Sequence, residues 1–497
     1  MTKQANPLSI GWASRDVSTD QPVGIRGQFH LRLSEGVLDP VTVTALAIGD
    51  GHDAVIFLSC DCVVIWSHVV KAVREKVRAL APKVPVEKII LNATHTHEGG
   101  DLYEIPDAFA TPARMPGKEY QAFFVAQAAD AVIEAWNGRT PGGVAWGYGF
   151  ASVAHSRRAV YLDDTSKRPA AAANPGLMVN GHAVMYGKTN DPMFSHFEAG
   201  TDAFLNVLFT FDSQDELTGV LVNVPCPSQV DEGIWKLSAD YWHETRVQLR
   251  KRFGEKLHVL PQCAAGGDLS PHYIFYKEAL KRRLALKGVT ERQDIAERVA
   301  AGVAEVFSWA KADIRREAAL AHVARTVELT RRPITREECD AERRNLTALK
   351  QQQPSPDPDP VKRMINDSRL DSQRRRCQGV IDRYEAAEAK LPMELHVVRL
   401  GDVAFASNRF ELYMDFMHRI QARSPAVQTF VIQLAGSEVG ERGGSYLPTV
   451  RGEWGKGYSA TVYCNLVNST GGQELVEETL RSLNEIFPER AAKPGGK

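Results

Sequence analysis

Along the chain, short unbroken apolar runs alternate with segments whose apolar residues recur at helical spacing. "HDAVIFLSCD" (52–61) is a strand-length apolar block, and "SHVVKAVREKVRALA" (67–81) after it has the period of an amphipathic helix. "VEKIILNATHTH" then reads as a strand stopped by Gly99-Gly100, and "EYQAFFVAQAADAVIEAWN" (119–137) as a helix. Further on, "LNVLFTF" (205–211) and "LTGVLVNVP" (217–225) read as paired strands, and "DYWHETRVQLRKRFG" (240–254) as a helix closed by glycine. "LHVLPQCAAGGDLSP" runs from a strand into a loop, and "ELHVVRLGDVAFAS" (394–407) is a strand pair. "FELYMDFMHRIQAR" (410–423) and "EETLRSLNEIF" (477–487) are helical. Such alternation predicts the α/β class: a layered fold with a mixed sheet flanked by helices.

One stretch departs from this pattern. Residues 334–392 hold two charged helical segments, "TREECDAERRNLTALKQQQ" and "PVKRMINDSRLDSQRRRCQGVIDRYEAAEAKL", around the linker "PSPDPDP". They read as a helical hairpin inserted into a main domain formed by residues 1–333 and 393–497. Its arginines alternate with acids, which favours a solvated face or a homo-oligomer contact over an anion site.

Composition narrows the classes. Sixty basic and sixty-one acidic residues leave a formal charge of −1, so neither nucleic acid nor a membrane surface is an expected partner. No run approaches the length of a membrane span. The start, "MTKQANPLSIGWASRDVST", lacks the apolar core of a secretory signal. Seven cysteines in no pattern fit a reduced chain, and a cytoplasmic location is expected.

The first chemical candidate is "LNATHTHEGGD" (91–101). In a strand, residues i and i+2 share a face, so His95 and His97 would project side by side where a strand opens into a glycine loop. That is where α/β proteins place ligands; the plainer reading is two solvated or hydrogen-bonded histidines. In "AAGGDLSPHY" (264–273), Ser270 could act as a nucleophile or merely serve a tight turn. In "NVPCPSQV" (223–230), Cys226 between two prolines could be a thiolate ligand or a small buried hydrophobe. His243, in the first turns of a helix capped by Ser238 or Asp240, is an acid/base candidate or a core histidine. Glu411 at a strand-to-helix junction, and Tyr446 and Tyr458 in a glycine-rich loop, complete the set.

Taken in order, these motifs resemble the N-terminal catalytic domain of the neutral, non-lysosomal ceramidase family. "QPVGIRGQF", "VIFLSCD", "ATHTHEGG", "SRRAVY", "VLVNVP", "LSADYW", "GGDLSP", "FELYMDF", "YLPT" and "GYSATV" follow in the family's order, over nearly the whole chain except 334–392. Members of that family are zinc amidases with an α/β layered catalytic domain, acting on N-acyl sphingosine. The resemblance implies zinc, or another divalent metal, held by His95, Glu411 and Tyr446 with His97 beside it. It also implies Ser270 near the activated water, Arg157 (or its neighbour Arg158) contacting substrate, and Tyr458 stabilising an oxyanion.

Two departures qualify it. The family's second histidine ligand falls where this chain has Cys226, so a thiolate, His243 from the next helix, or loss of the metal are the alternatives. No apolar surface segment suited to membrane lipid is evident, so a small soluble substrate or an oligosaccharide is expected in place of ceramide. The sequence therefore predicts a zinc-dependent hydrolase of an amide or related bond. A metal-dependent lyase or glycan-degrading enzyme on an acidic sugar, with Arg157 holding its carboxylate, is the alternative chemistry. A non-catalytic metabolite-binding relative is the alternative class.

Overall fold

The computed structural model describes residues 5–103, 109, 114–169, 180–440 and 443–488. Residues 1–4, at the head of the segment read for a secretory signal, lie outside it.

Three mixed sheets form the interior. The first orders Ile89–Ala93, Ala54–Cys60, Thr42–Gly49, Ser9–Asp16 and Thr140–Pro141. The second orders His258–Cys263, Leu217–Val224, Phe204–Phe211 and Gly143–Phe150, and the third Leu320–Thr330, Lys390–Leu400, Val403–Ser407 and Gln428–Ile432. Each contains one parallel pair among antiparallel neighbours: Ala54–Cys60 with Ile89–Ala93, Leu217–Val224 with His258–Cys263, and Val403–Ser407 with Gln428–Ile432. These six strands are almost wholly buried, which is why they read as continuous apolar runs without alternation.

Leu46, Phe57, Leu208, Leu221, Leu260, Phe405 and Phe430 meet in one core between the sheets. Ser67–Leu80 and Gly117–Asn137 cover the outer face of the first sheet with Val69, Val73, Phe124 and Val132. Tyr241–Phe253 and Glu291–Ala310 contribute to the core on the second sheet, and Met414–Arg423 and Ser469–Ile486 extend it to the third. The α/β layered architecture expected from the alternation is the one observed.

The parallel pairs matter for function because their C-terminal ends converge. Ala93 N donates to Leu434 O at 3.2 Å, Gln433 N to Cys263 O at 3.0 Å, and Asn223 Nδ2 to Val431 O at 3.0 Å. The Gln433 amide oxygen accepts from both Gly266 N and Leu412 N, at 3.1 and 2.9 Å, tying the "AAGGDLSP" loop to the segment bearing Glu411. In sheets with parallel strands, ligand sites form beyond the carboxyl ends.

Residues 334–392 contain two helices, Arg336–Gln351 and Pro360–Ala386, packed through Cys339, Leu346, Leu349, Cys377 and Ile381. Thr335 and Glu338 form a capping box on the first helix; Asp359, with Pro360 behind it, caps the second. The pair is docked on the main body: Ser368 Oγ accepts from Leu31 N at 3.0 Å, and Arg383 Nη1 donates to Asn465 O at 2.8 Å. Some boundaries shift from the sequence reading. The strand before the histidines ends at Ala93, and the helix after Glu411 starts only at Met414. The last helix begins earlier than read, at Ser469.

Candidate functional site

Beyond Ala93 the chain leaves the sheet, and His95 takes a left-handed conformation with φ 63°. Such a backbone is unfavourable for a residue with a side chain and is held here by the fold around it. The two histidines are therefore not presented by a strand: their rings lie 5.0 Å apart and nearly perpendicular, at 80°. His95 Nδ1 lies 2.6 Å from Val63 O, so it carries the ring hydrogen, because a carbonyl only accepts. Nε2 is left facing Glu411 Oε2 at 3.3 Å.

Glu411 comes from a two-residue strand, Glu411–Leu412, paired in parallel with Tyr446–Leu447. The pairing sets Glu411 beside Tyr446, whose hydroxyl helps to lower the carboxyl. Arg157 Nη2 stands 3.9 Å from Glu411 Oε2, and its guanidinium lies over the Tyr446 ring at 5.4 Å. Burial would push the Glu411 carboxyl up; His95, Arg157 and the Tyr446 hydroxyl together bring it below the usual carboxylate range. Burial, and then Glu411, raise the Tyr446 phenol well above its ordinary value. Tyr458 stacks edge-on against Tyr446 at 5.5 Å between centroids, and burial pushes its phenol up to about 12.

Arg157 and Arg158 part company at this point. Arg158 turns to the opposite side, where Glu198 holds it bidentately at 3.0 and 2.8 Å. Its Nη1 donates to Tyr458 O at 2.7 Å, so Arg158 anchors the loop that carries Tyr458 while Arg157 faces Glu411.

Ser270 sits one layer back. Its Oγ accepts from the Tyr186 hydroxyl at 3.0 Å and from His272 N at 3.1 Å, and Gln229 Nε2 donates to that same phenol at 2.7 Å. The Arg157 guanidinium also interacts electrostatically with the Tyr186 phenol, which links Ser270 to the Glu411 cluster. His97 is buried, which drops its imidazole to about 4, and its Nδ1 is 3.3 Å from Glu232 Oε2. Glu232 reaches His272 Nε2 at 3.5 Å on its other oxygen. Despite burial, the two histidines hold the Glu232 carboxyl far below the usual range. Tyr186, Gln229, Glu232 and His272 were not singled out in the sequence. Only Gln229, within "NVPCPSQV", and His272, within "AAGGDLSPHY", lay inside motifs already noted.

Two candidates are not brought to this cluster. Cys226 is fully buried in apolar core, its thiol directed to Pro227 O at 3.3 Å, and burial pushes it well above an ordinary thiol. The chain folds back there, Cys226 N donating to Val224 O, and this turns the side chain inward. His243 packs near Asp39, 4.0 Å from its carboxylate, in the first turn of its helix. Among the described residues no group of three His, Cys, Asp or Glu side chains is gathered as a metal cage.

The fit to zinc can be tested on the His95–Glu411 contact. With Nδ1 committed to a carbonyl, Nε2 and Oε2 are two lone-pair donors 3.3 Å apart. That is stable only with positive charge between them, a proton or a cation. Two ligand atoms each ~2.0–2.1 Å from one tetrahedral ion are separated by about 3.3 Å, so the pair matches one edge of such a shell. The Val63 carbonyl on the remote ring nitrogen is the usual outer partner of a ligating histidine.

Three mixed sheets whose parallel pairs converge on a buried His–Glu–Tyr–Arg cluster define a layered α/β fold of neutral-ceramidase type. Two solved structures share it. One, described as the crystal structure analysis of neutral ceramidase from Pseudomonas aeruginosa, is 16% identical, with a TM-score of 0.64 over 99% of this chain and 76% of that one. The other, a ceramidase complexed with C2, is 15% identical with the same TM-score, over 99% of this chain and 77% of that one. No family model matches the chain, and no curated protein does. At this identity the likeness is one of fold.

Proposed function

We propose that the chain is a zinc-dependent hydrolase of the neutral-ceramidase type, cleaving an amide or related acyl bond in a small substrate other than ceramide. One observation carries the reading: the facing lone pairs of His95 Nε2 and Glu411 Oε2, with Tyr446 paired beside Glu411. His95, Glu411 and Tyr446 would hold the metal. When bound, zinc supplies Lewis-acid polarisation and a more acidic water. Arg157, at 3.9 Å from Glu411, and the Tyr458 phenol, packed on Tyr446, would stabilise negative charge on an acyl oxygen. Ser270, accepting from the Tyr186 hydroxyl, would serve as a positioning group. With Nδ1 turned to the acceptor-only Glu232 carboxylate, Nε2 of His97 would be the nitrogen that takes and returns a proton. A substrate other than ceramide is supported by the charged surroundings, where a neighbouring cleft is lined by six arginines.

The test is elemental analysis of purified wild type, His95→Ala and Glu411→Gln after zinc loading, together with amine release from a panel of N-acyl compounds. About one zinc per wild-type chain, lost in both variants along with amine release, is expected. Equal zinc in all three proteins would refute the metal assignment.

A further inference from the structure

Between the inserted hairpin and the main body lies a cleft of about 950 Å³, within the size range of small-molecule sites. Its walls carry six arginines: Arg26, Arg331, Arg332, Arg375, Arg376 and Arg383. Three acids, Asp101, Asp382 and Glu388, also line it. Several of the arginines are engaged. Arg26 pairs with Asp101 at 3.3 Å, Arg331 with Glu388 at 2.6 Å and Arg375 with Asp371 at 2.8 Å, while Arg383 is bonded to the Asn465 carbonyl.

Two are different. Arg332 spends one side on Glu338 at 3.0 Å, leaving Nη1 buried with no hydrogen-bond partner. The Nη1 of Arg376 is likewise buried without one, and its guanidinium lies over the Phe29 ring at 4.7 Å. Neither guanidinium is saturated by protein partners, and an oxyanion is the ligand that a guanidinium lining a cleft binds best. His30, on the same wall, is held below the ordinary imidazole range by burial and then by Arg369 and Arg32, in keeping with a positive field.

The cleft backs directly onto the candidate active site. Phe29, under Arg376, packs edge-on against Tyr458 at 5.3 Å, and Tyr458 against Tyr446. Ser445 and Cys464 line the cleft and bracket the strand that carries Tyr446, whose N–H donates to Cys464 O at 3.1 Å. We propose that this cleft binds a multivalent oxyanion, a carboxylate- or phosphate-bearing group, and that it seats the anionic far end of the substrate whose acyl bond is cut at His95 and Glu411. The second half rests on the hydrolase reading; oxyanion binding itself does not. On this view the insert's arginines are an anion site, against the expectation from their alternation with acids.

Calorimetric titration of the full chain with citrate and with inorganic pyrophosphate, at low and high salt, tests the binding. Saturable, salt-weakened binding of either probe by wild type is expected, and which of the two binds tells carboxylate from phosphate. Arg376→Gln and Arg332→Gln should each weaken it about tenfold. Arg376→Lys should restore much of it, and Arg325→Gln, which breaks an exposed pair with Glu485, should change nothing. No binding by wild type, or binding indifferent to both cleft variants but abolished by Arg157→Gln, would overturn the proposal.

A second arm compares two amides differing only in a distal carboxylate. A preference of about tenfold in kcat/KM for the anionic one, erased by Arg376→Gln, is expected. If both are cleaved equally while citrate still binds, the assignment to the substrate's far end is wrong. If neither is cleaved by the zinc-loaded protein, the hydrolase reading fails, and calorimetry alone decides the cleft.

Discussion

Gly267→Ala is the substitution that most directly tests how the site is assembled. A methyl at Gly267 would stand 2.7 Å from the Glu411 carbonyl carbon and 3.0 Å from the Leu412 carbonyl carbon, closer still to the Glu411 oxygen. Carbon atoms in contact prefer about 3.5–4.0 Å, so the two segments must separate by about 1 Å. Neither yields easily. Gly267 N donates to Leu412 O at 2.8 Å, Glu411 N to Ser445 O at 2.9 Å, and all these atoms are backbone. Overpacking of this kind costs about 1–3 kcal/mol, and a 1 Å displacement of a reacting group costs on the order of a hundredfold in rate. The neighbouring glycine is the control. A methyl at Gly266 meets Pro227 Cδ at 3.1 Å and Pro227 N at 3.6 Å, a contact a small shift relieves. Urea denaturation of both variants should therefore show Gly267→Ala destabilised by about 2 kcal/mol and Gly266→Ala by less than about 1 kcal/mol. Zinc retention should fall in the first alone. Equal stability of the two variants would mean that close backbone approach at Gly267 does not hold Glu411 in place.

Three further outcomes follow from the same geometry. Glu198→Gln leaves the fully buried Arg158 without its carboxylate, which should cost about 3–5 kcal/mol and loosen the Tyr458 loop; Arg158→Met with Glu198→Leu should recover most of it, and a double-mutant cycle by denaturation checks this. Burial raises the Asp268 carboxyl from its usual value to about 7, so the folded state keeps a proton that the unfolded state has lost between about pH 4 and 7. Its contribution to stability is full below pH 4 and declines by up to about 4 kcal/mol as pH rises to 7. Asp268→Asn, which still accepts from Met414 N, should flatten that decline, and an unchanged pH slope in denaturation would refute the shift. Cys226→Ala should leave zinc stoichiometry as in wild type, because the thiol faces Pro227 O in the core; loss of zinc would return the cysteine to the ligand set.

How much of this was legible in the sequence depended on whether a residue's role is set locally or by long-range convergence. The strands were legible because they are buried on both faces, and uninterrupted burial leaves uninterrupted apolar runs. His95 and Glu411 could be singled out because each follows such a run, and Tyr446 and Tyr458 because a glycine-rich loop carries them and its motifs resemble the family's. The conformation at the histidines was not legible. A strand continued through His97 would align the two rings, whereas the chain leaves the sheet at Ala93 and His95 adopts positive φ. The choice between Arg157 and Arg158 was equally out of reach, because adjacent arginines look alike until backbone pairing assigns each to a face. Tyr186, Glu232 and Arg376 carry no local signature at all. Arg376 lies in a helix whose arginines alternate with acids along the chain, and that alternation predicts mutual neutralisation. In the folded protein the neutralisation is uneven: Arg375 turns to Asp371, while Arg376 covers Phe29 beside Tyr458. Charge counted along a helix thus says little about charge delivered to one wall of a cleft, and it is the latter that a substrate would meet.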